Sequence, residues 1–411
     1  MSPVVCRFRQ FGRNARLLVP ACLMFPTVIY AQTVPTVTVD ISVSGGADSN
    51  PFLEQNGTST FSASLQIDPK VYWEDETTNV VVDASLRATQ YMERYGNELG
   101  GRIGVDARKR LDARTSLAVS AGFQSSRSTL QDFLLGNRNA QLDAVIFPPI
   151  EYTDVTIAGR RTRIMALDSY LGLDHALGED DSVNIFGATS YSKFGGSSVT
   201  DFRTGTLGVR YRRRVSERTS ATAGVTTTVA DYVGVDNGDA RIISPQIGIE
   251  NKLTERLQWT ASLGASVASV NDERRLARTK TYFTGGLSLC DKGTKSALCV
   301  TMSRAAQPTA LGGLRAITNV DFTYERQLNQ KERLTISGRY GLTGRNSIAT
   351  TTTLPNRSHL LGLSAAYTKN INERFAFIIA PSFTKAVESR LRNETNYAIS
   401  VGIKLRVGKL R

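Results

Sequence analysis

The sequence predicts an all-β chain closed into a transmembrane, antiparallel, up-and-down β-barrel. Three observations predict it: long segments of strict alternation, a tight turn that recurs with nearly the same chemistry, and a longer, variable connection between one hairpin and the next. Successive side chains of a strand point to opposite faces, so alternation separates two environments. From Tyr397, YAISVGIKLRVGK sets Tyr397, Ile399, Val401, Ile403, Leu405 and Val407 against Ser400, Gly402, Lys404, Arg406 and Gly408. LQWTASLGASV and NVVVDASLRATQY divide in the same way. These runs reach about 10–13 residues, longer than the usual globular strand, and suit a tilted strand that crosses a bilayer.

The turns set the period. RKRLDART, RRRVSERT, NKLTERL, RQLNQKERL and KNINERF each pass from polar residues through an apolar one into a short polar turn. Turn starts fall near Glu74, Leu111, Leu177, Val215, Leu253, Asp291, Leu328 and Asn370. A spacing of about 38 residues holds two long strands, one tight turn and one longer loop, the hairpin unit of an outer-membrane barrel. The count is 18 strands between about Val37 and Val407, or 16 if the first segment or Val183–Phe194 lies outside the wall. A propeller needs four short strands per repeat and its own punctuation, and neither occurs.

The N-terminal MSPVVCRFRQFGRNAR carries Arg7, Arg9, Arg13 and Arg16 and no acid, and LLVPACLMFPTVIYA follows as a short apolar core. We read residues 1–31 as a signal peptide and 32–411 as the barrel, with a membrane anchor as the alternative. An exported barrel belongs in the cell outer membrane, where its partners are lipid and the barrel insertion machinery. Cys290 and Cys299 flank DKGTKSAL, which in an exported protein reads as a local disulfide; two buried thiols are the alternative.

The alternating stripes assign an inner set: Asp40, Gln66, Asp68, Asp83, Arg87, Arg102, Asp106, Arg108, Asp168, Arg210, Arg212, Gln246, Asn319, Asp321, Arg339, Lys404 and Arg406. Arg213 falls on the other face. Two compatible readings follow, a lattice of ion pairs between strands or a cation-biased path for anionic solutes. Tyr91, Tyr211, Tyr232, Tyr324, Tyr340 and Tyr397 near strand ends are candidates for interfacial girdles. The long segment around 125–161 is the only candidate for an internal constriction, with an external lid as the other possibility.

The formal net charge is +13 with only two histidines. No basic run resembles a nucleic-acid arm, no spacing suggests a metal or cofactor site, and His175 and His359 are expected at opposite ends of the wall. The protein therefore reads as no enzyme, with no cofactor and no nucleic-acid partner.

GGADSNPF at Gly45–Phe52, with ASLQIDPKVYWEDETTNVVVDASLRATQY after it, resembles the porin-like outer-membrane barrels grouped as beta-barrel porin type 2. That resemblance implies a porin-like channel, or a component of exopolysaccharide export with export proteins as partners. A non-conducting scaffold barrel in a surface-polysaccharide assembly is the alternative. One departure stands out: the chain runs past its last strand to RVGKLR and does not end on an aromatic residue.

Overall fold

A computed structural model describes residues 35–127, 162–195, 199–233, 239–272, 275–310, 313–344, 358–388 and 392–408. The signal-peptide expectation falls outside these residues. The first strands are β1 (Thr36–Asp48), β2 (Thr60–Glu74), β3 (Thr78–Tyr91), β4 (Asn97–Arg110) and β5 (Thr115–Ser126). Next come β6 (Arg163–Ala176), β7 (Asp181–Gly195), β8 (Asp201–Arg214), β9 (Thr219–Val233) and β10 (Ala240–Lys252). Then follow β11 (Leu257–Asp272), β12 (Arg275–Lys292), β13 (Ser296–Pro308) and β14 (Leu314–Gln327). The last are β15 (Glu332–Thr343), β16 (Ser358–Asn370), β17 (Phe375–Glu388) and β18 (Arg392–Gly408).

Each strand pairs antiparallel with its sequence neighbours, and β18 returns to pair with β1 from Thr38–Gly408 to Asp48–Ala398. The result is one closed 18-stranded sheet. Val183–Phe194 lies within β7, so the count is eighteen and not sixteen. Closure satisfies the backbone polar groups within the wall, which hydrocarbon demands, and leaves no edge strand to recruit another chain.

Burial is inverted relative to a soluble domain. Residues directly paired across antiparallel strands share a face. One face carries Val43, Leu86, Leu167, Leu207, Ile247, Leu263, Phe283, Leu363 and Ile403, all exposed, with Leu207 at 72%. The other carries Ser190, Thr204, Thr206, Ser266 and Thr284, all buried. Cross-strand hydroxyl bonds line this inner face: Ser190–Thr204 at 2.8 Å, Thr206–Thr228 at 2.9 Å and Ser244–Ser266 at 2.6 Å. Cys290 and Cys299 are directly opposite one another on β12 and β13 and form a disulfide on the inner face.

The recurring turn owes its chemistry to one acceptor. Asn372 Oδ1 accepts from the backbone N–H of Arg374 (2.9 Å) and Phe375 (2.8 Å). Asp112 does the same for Arg114 and Thr115, and Asp75 for Thr77 and Thr78. Ser216 and Thr254 supply hydroxyl versions. Such side-chain mimicry of a turn is why Asp, Asn, Ser and Thr recur there. A neighbouring hairpin then clasps each turn: Lys252 N donates to Arg218 O (2.8 Å), Lys292 N to Arg256 O (3.0 Å) and Arg406 N to Arg374 O (2.7 Å).

Pro69, Pro245 and Pro381 sit within β2, β10 and β17 on the outward face. Each keeps register with one neighbour, at Val39, Val225 and Ile399. On the other side the register is interrupted, towards β3, β11 and β16. Proline has no N–H to donate, so a central strand can carry it only where a ladder rung is given up.

Two outcomes test the turn analysis. Asn372→Ala removes an acceptor from two backbone donors and is expected to lower unfolding stability by about 1 kcal/mol in urea titrations of the refolded barrel. The N–H donors of Thr77 at Asp75 and of Arg114 at Asp112 hold both carboxyls below the usual carboxylate range. A folded pKa below the unfolded one contributes stability above the unfolded value and loses it as pH falls through the folded value. The Asp75→Asn/Asp112→Asn variant is therefore expected to show a shallower loss of stability on acidification.

Candidate functional site: the inner wall and its mouth

The ladder register places all the residues assigned to the inner set on one continuous face. Several meet in ion pairs. At the junction of β1 and β18, Asp40 accepts from Arg406 through both carboxylate oxygens, at 2.7 and 2.8 Å, and from Lys404 at 3.2 Å. Asp83 pairs with Arg102 at 3.1 Å, and Asp321 pairs with Arg339 directly across β14 and β15. Arg212 pairs with Glu250 at 2.9 Å. Gln66 donates to both oxygens of Asp68, each at 2.9 Å.

Others are brought to the same face beside small residues. Arg87 is opposite Gln66 and Gly100, Arg108 opposite Ala118, and Arg210 opposite Asn184 and Gly224. Asp106 is opposite Ser120, Gln246 opposite Gly264, and Asn319 opposite Gly341. Asp168 lies over Gly122, where a Cβ would come within 2.9 Å of its carboxylate and oblige that side chain to move. Arg213 lies on the outward face opposite Asp181. Sequence reasoning missed Glu250, Lys70 and Asp48, which share the inner stripe: Lys70 is opposite Asp83, and Asp48 accepts from Asn396. Their even spacing from Gln246, Asp68 and Asp40 was the available signal.

The mouth at the loop end is narrowed by two connections that fold inward. The β1–β2 connection begins with the DSNPF stretch. Asn396 of β18 accepts the Asn50 N–H at 2.8 Å, Ser49 Oγ accepts the Tyr397 N–H at 2.8 Å, and Asn50 brackets Glu54 through both backbone groups. These bonds turn Phe52 into the barrel, where its ring meets Tyr91 at 5.4 Å and Tyr95 at 5.2 Å between centroids. Leu53 follows with φ of 48° and no exposure.

On the other side, the β13–β14 tip reaches several strands away. Tyr232 on β9 donates its hydroxyl to Gly313 O at 2.6 Å, and Thr200 N donates to Ala310 O at 2.7 Å. Ala310 and Leu314 pack with inner-face Phe202, Tyr232, Ile242 and Val270, and Arg315 is completely buried. The sequence named only the 125–161 segment as a constriction. Of that segment only 125–127 lies among the described residues, whereas these two shorter connections supply narrowing that their length did not announce.

Two girdle assignments are corrected for the same reason. Tyr91 and Tyr232 belong to the inner stripe and are buried against the inward connections. Tyr211 and Tyr397 are exposed on the outward stripe, as interfacial aromatics would be. His175 and His359 both lie on the outward stripe at opposite ends, bonded to Thr115 (3.0 Å) and Tyr340 (2.6 Å). Neither meets the inner wall, and no metal-binding cluster occurs among the described residues.

The fold and the two faces define a transmembrane β-barrel of the outer-membrane type. No family model matches the chain, and no curated protein sequence matches it. Among solved structures it is similar to Pseudomonas aeruginosa OccK2 (OpdF) in complex with glucuronate, with a TM-score of 0.46 and 8% identity over 92% of this chain and 98% of that one. P. aeruginosa OpdK with vanillate gives 0.47 and 11%, over 90% and 99% of the two chains. A BenF-like porin from Pseudomonas fluorescens Pf-5 gives 0.44 and 9%, over 91% and 99%. At such identities the likeness concerns the barrel alone.

If the inward connections set the aperture, loosening them changes the current. Phe52→Ala removes a buried ring, a truncation of about 3–5 kcal/mol. Combined with Tyr232→Phe, it is expected to raise mean single-channel conductance and open-state noise in planar bilayers.

Proposed function

We propose that the protein is a passive outer-membrane channel whose inner wall favours small anionic solutes. The observation that carries this reading is how the inner carboxylates are used. Asp40 is held by two cations, and Asp83, Asp321 and Glu250 by one each. Arg87, Arg108 and Arg210 add positive charge to the same face. Asp48, Asp68, Asp106 and Asp168 share that face outside these ion pairs, so the preference for anions rests on a modest excess of inner cations over acids. Hydroxyl pairs such as Thr206–Thr228 and Ser244–Ser266 leave the wall polar beside the charges of Arg210, Arg212 and Glu250, which suits a path without a tight binding step.

Planar-bilayer recording of the refolded barrel tests the proposal. Under a salt gradient, the reversal potential is expected to have the sign of anion selectivity. Arg87→Gln/Arg210→Gln/Arg212→Gln is expected to move it towards zero, since rings of fixed charge govern pore selectivity. Cation selectivity in the native protein would overturn the anionic reading. An absence of openings would return the scaffold reading.

A further inference from the structure

The outer surface carries a charge pattern that a channel does not require. Arg163 on β6, Lys193 on β7, Arg203 on β8 and Arg241 on β10 are all exposed. Register puts each on the outward face: Lys193 is opposite Met165, Arg203 opposite Tyr191, and Arg241 opposite Val229, three residues that belong to the exposed apolar belt. Arg163 has the same parity as Met165 and Leu167. Each lies within three residues of the loop-side end of its strand. They therefore form one band above the hydrocarbon belt, about 19 Å long at about 4.8 Å per strand.

The band occupies one sector. On the outward face at this level, Asp231 pairs with Arg203, and Asp201 accepts the Phe194 N–H. Those two acids are thus engaged, exposed Asp239 stands two residues before Arg241, and Arg163, which donates to Ser125 Oγ at 3.4 Å, Lys193 and Arg241 face the bilayer surface. Exposed Arg127 follows β5 beside Arg163, whereas the outward Arg304 and Lys385 are half-buried, and Arg304 donates to Thr318. Short turns mark the periplasmic end, so the band faces the outer leaflet.

We infer that this band binds the phosphates of a phosphorylated glycolipid of the outer leaflet, the lipid A class, whose acyl chains would lie on the apolar wall beneath. Several cations at headgroup depth, over a continuous apolar surface, match a ligand with phosphates above multiple chains. The inference concerns the outside of the wall and does not depend on what crosses the lumen.

Native mass spectrometry of the refolded barrel in neutral detergent, titrated with bisphosphorylated lipid A, tests it. Saturable binding is expected, and Arg163→Gln/Lys193→Gln/Arg241→Gln is expected to weaken it about five-fold, as three exposed charge contacts of a few tenths of a kcal/mol each would. The milder Arg163→Gln/Lys193→Gln pair, a safeguard should the triple variant not fold, is expected to lose about three-fold. Arg304→Gln/Lys385→Gln is expected to bind as the native protein does, and dephosphorylated lipid A is expected to bind weakly. Unchanged binding by correctly folded band variants would overturn the inference. So would phosphatidylglycerol binding as tightly as lipid A, since that would make the band a general attractor for negative lipid.

Discussion

The junction of β1 and β18 is the constraint on which the rest depends. Every other strand pair is made by chain neighbours, but this one joins residues at opposite ends of the barrel sequence. Without it, two edge strands would face hydrocarbon with unpaired backbone groups. The structure concentrates interactions there. Asp40 takes Lys404 and Arg406 on the inner face, and Asp48, Ser49 and Asn50 take Asn396 and Tyr397 at the mouth. The DSNPF stretch thus does two things at once: it fastens the junction and directs Phe52 and Leu53 into the lumen.

Charge does not hold this wall together. Arg102, Arg212 and Arg406 are all more than two-fifths exposed in their ion pairs, and pairs of that kind contribute about 0–1 kcal/mol each. The backbone ladder and its exclusion from water supply the main stability, with hydroxyl pairs and the Cys290–Cys299 link fitted to the inner face. Ion pairs decide instead what electrical field a solute meets. In the channel proposed above, stability and selectivity are consequently separable, because the groups that would set one contribute little to the other.

Much of the architecture was legible because a barrel repeats one rule. Tyr397 to Val407 alternates strictly, and Asp112, Ser216, Thr254 and Asn372 each mark a turn by side-chain acceptors that a local reading detects. Parity alone placed the inner-set residues on a common face. The inward connections were not legible. Tyr232 resembles any aromatic near a strand end, and its bond to Gly313 joins residues 81 positions apart. Nor does alternation reveal which connection turns inward, since that depends on partners such as Asn396, hundreds of residues from Asn50. The three wall prolines were equally silent, because their effect is a lost rung and not a changed pattern.

The closing junction also sets the tempo of assembly. Seventeen of the strand pairings join consecutive strands and can form as hairpins emerge, each turn being clasped by a neighbour. The last has to gather a loop of about the whole barrel, and the entropy of that search grows with the logarithm of the loop length. Until Arg406 reaches Asp40, the growing sheet has two sticky margins and a strong bias towards pairing with the wrong chain. Closing the wall therefore requires both margins to be kept from other strands until Arg406 and Asp40 meet, so the two ends of the barrel sequence depend on each other in assembly as they do in the finished sheet.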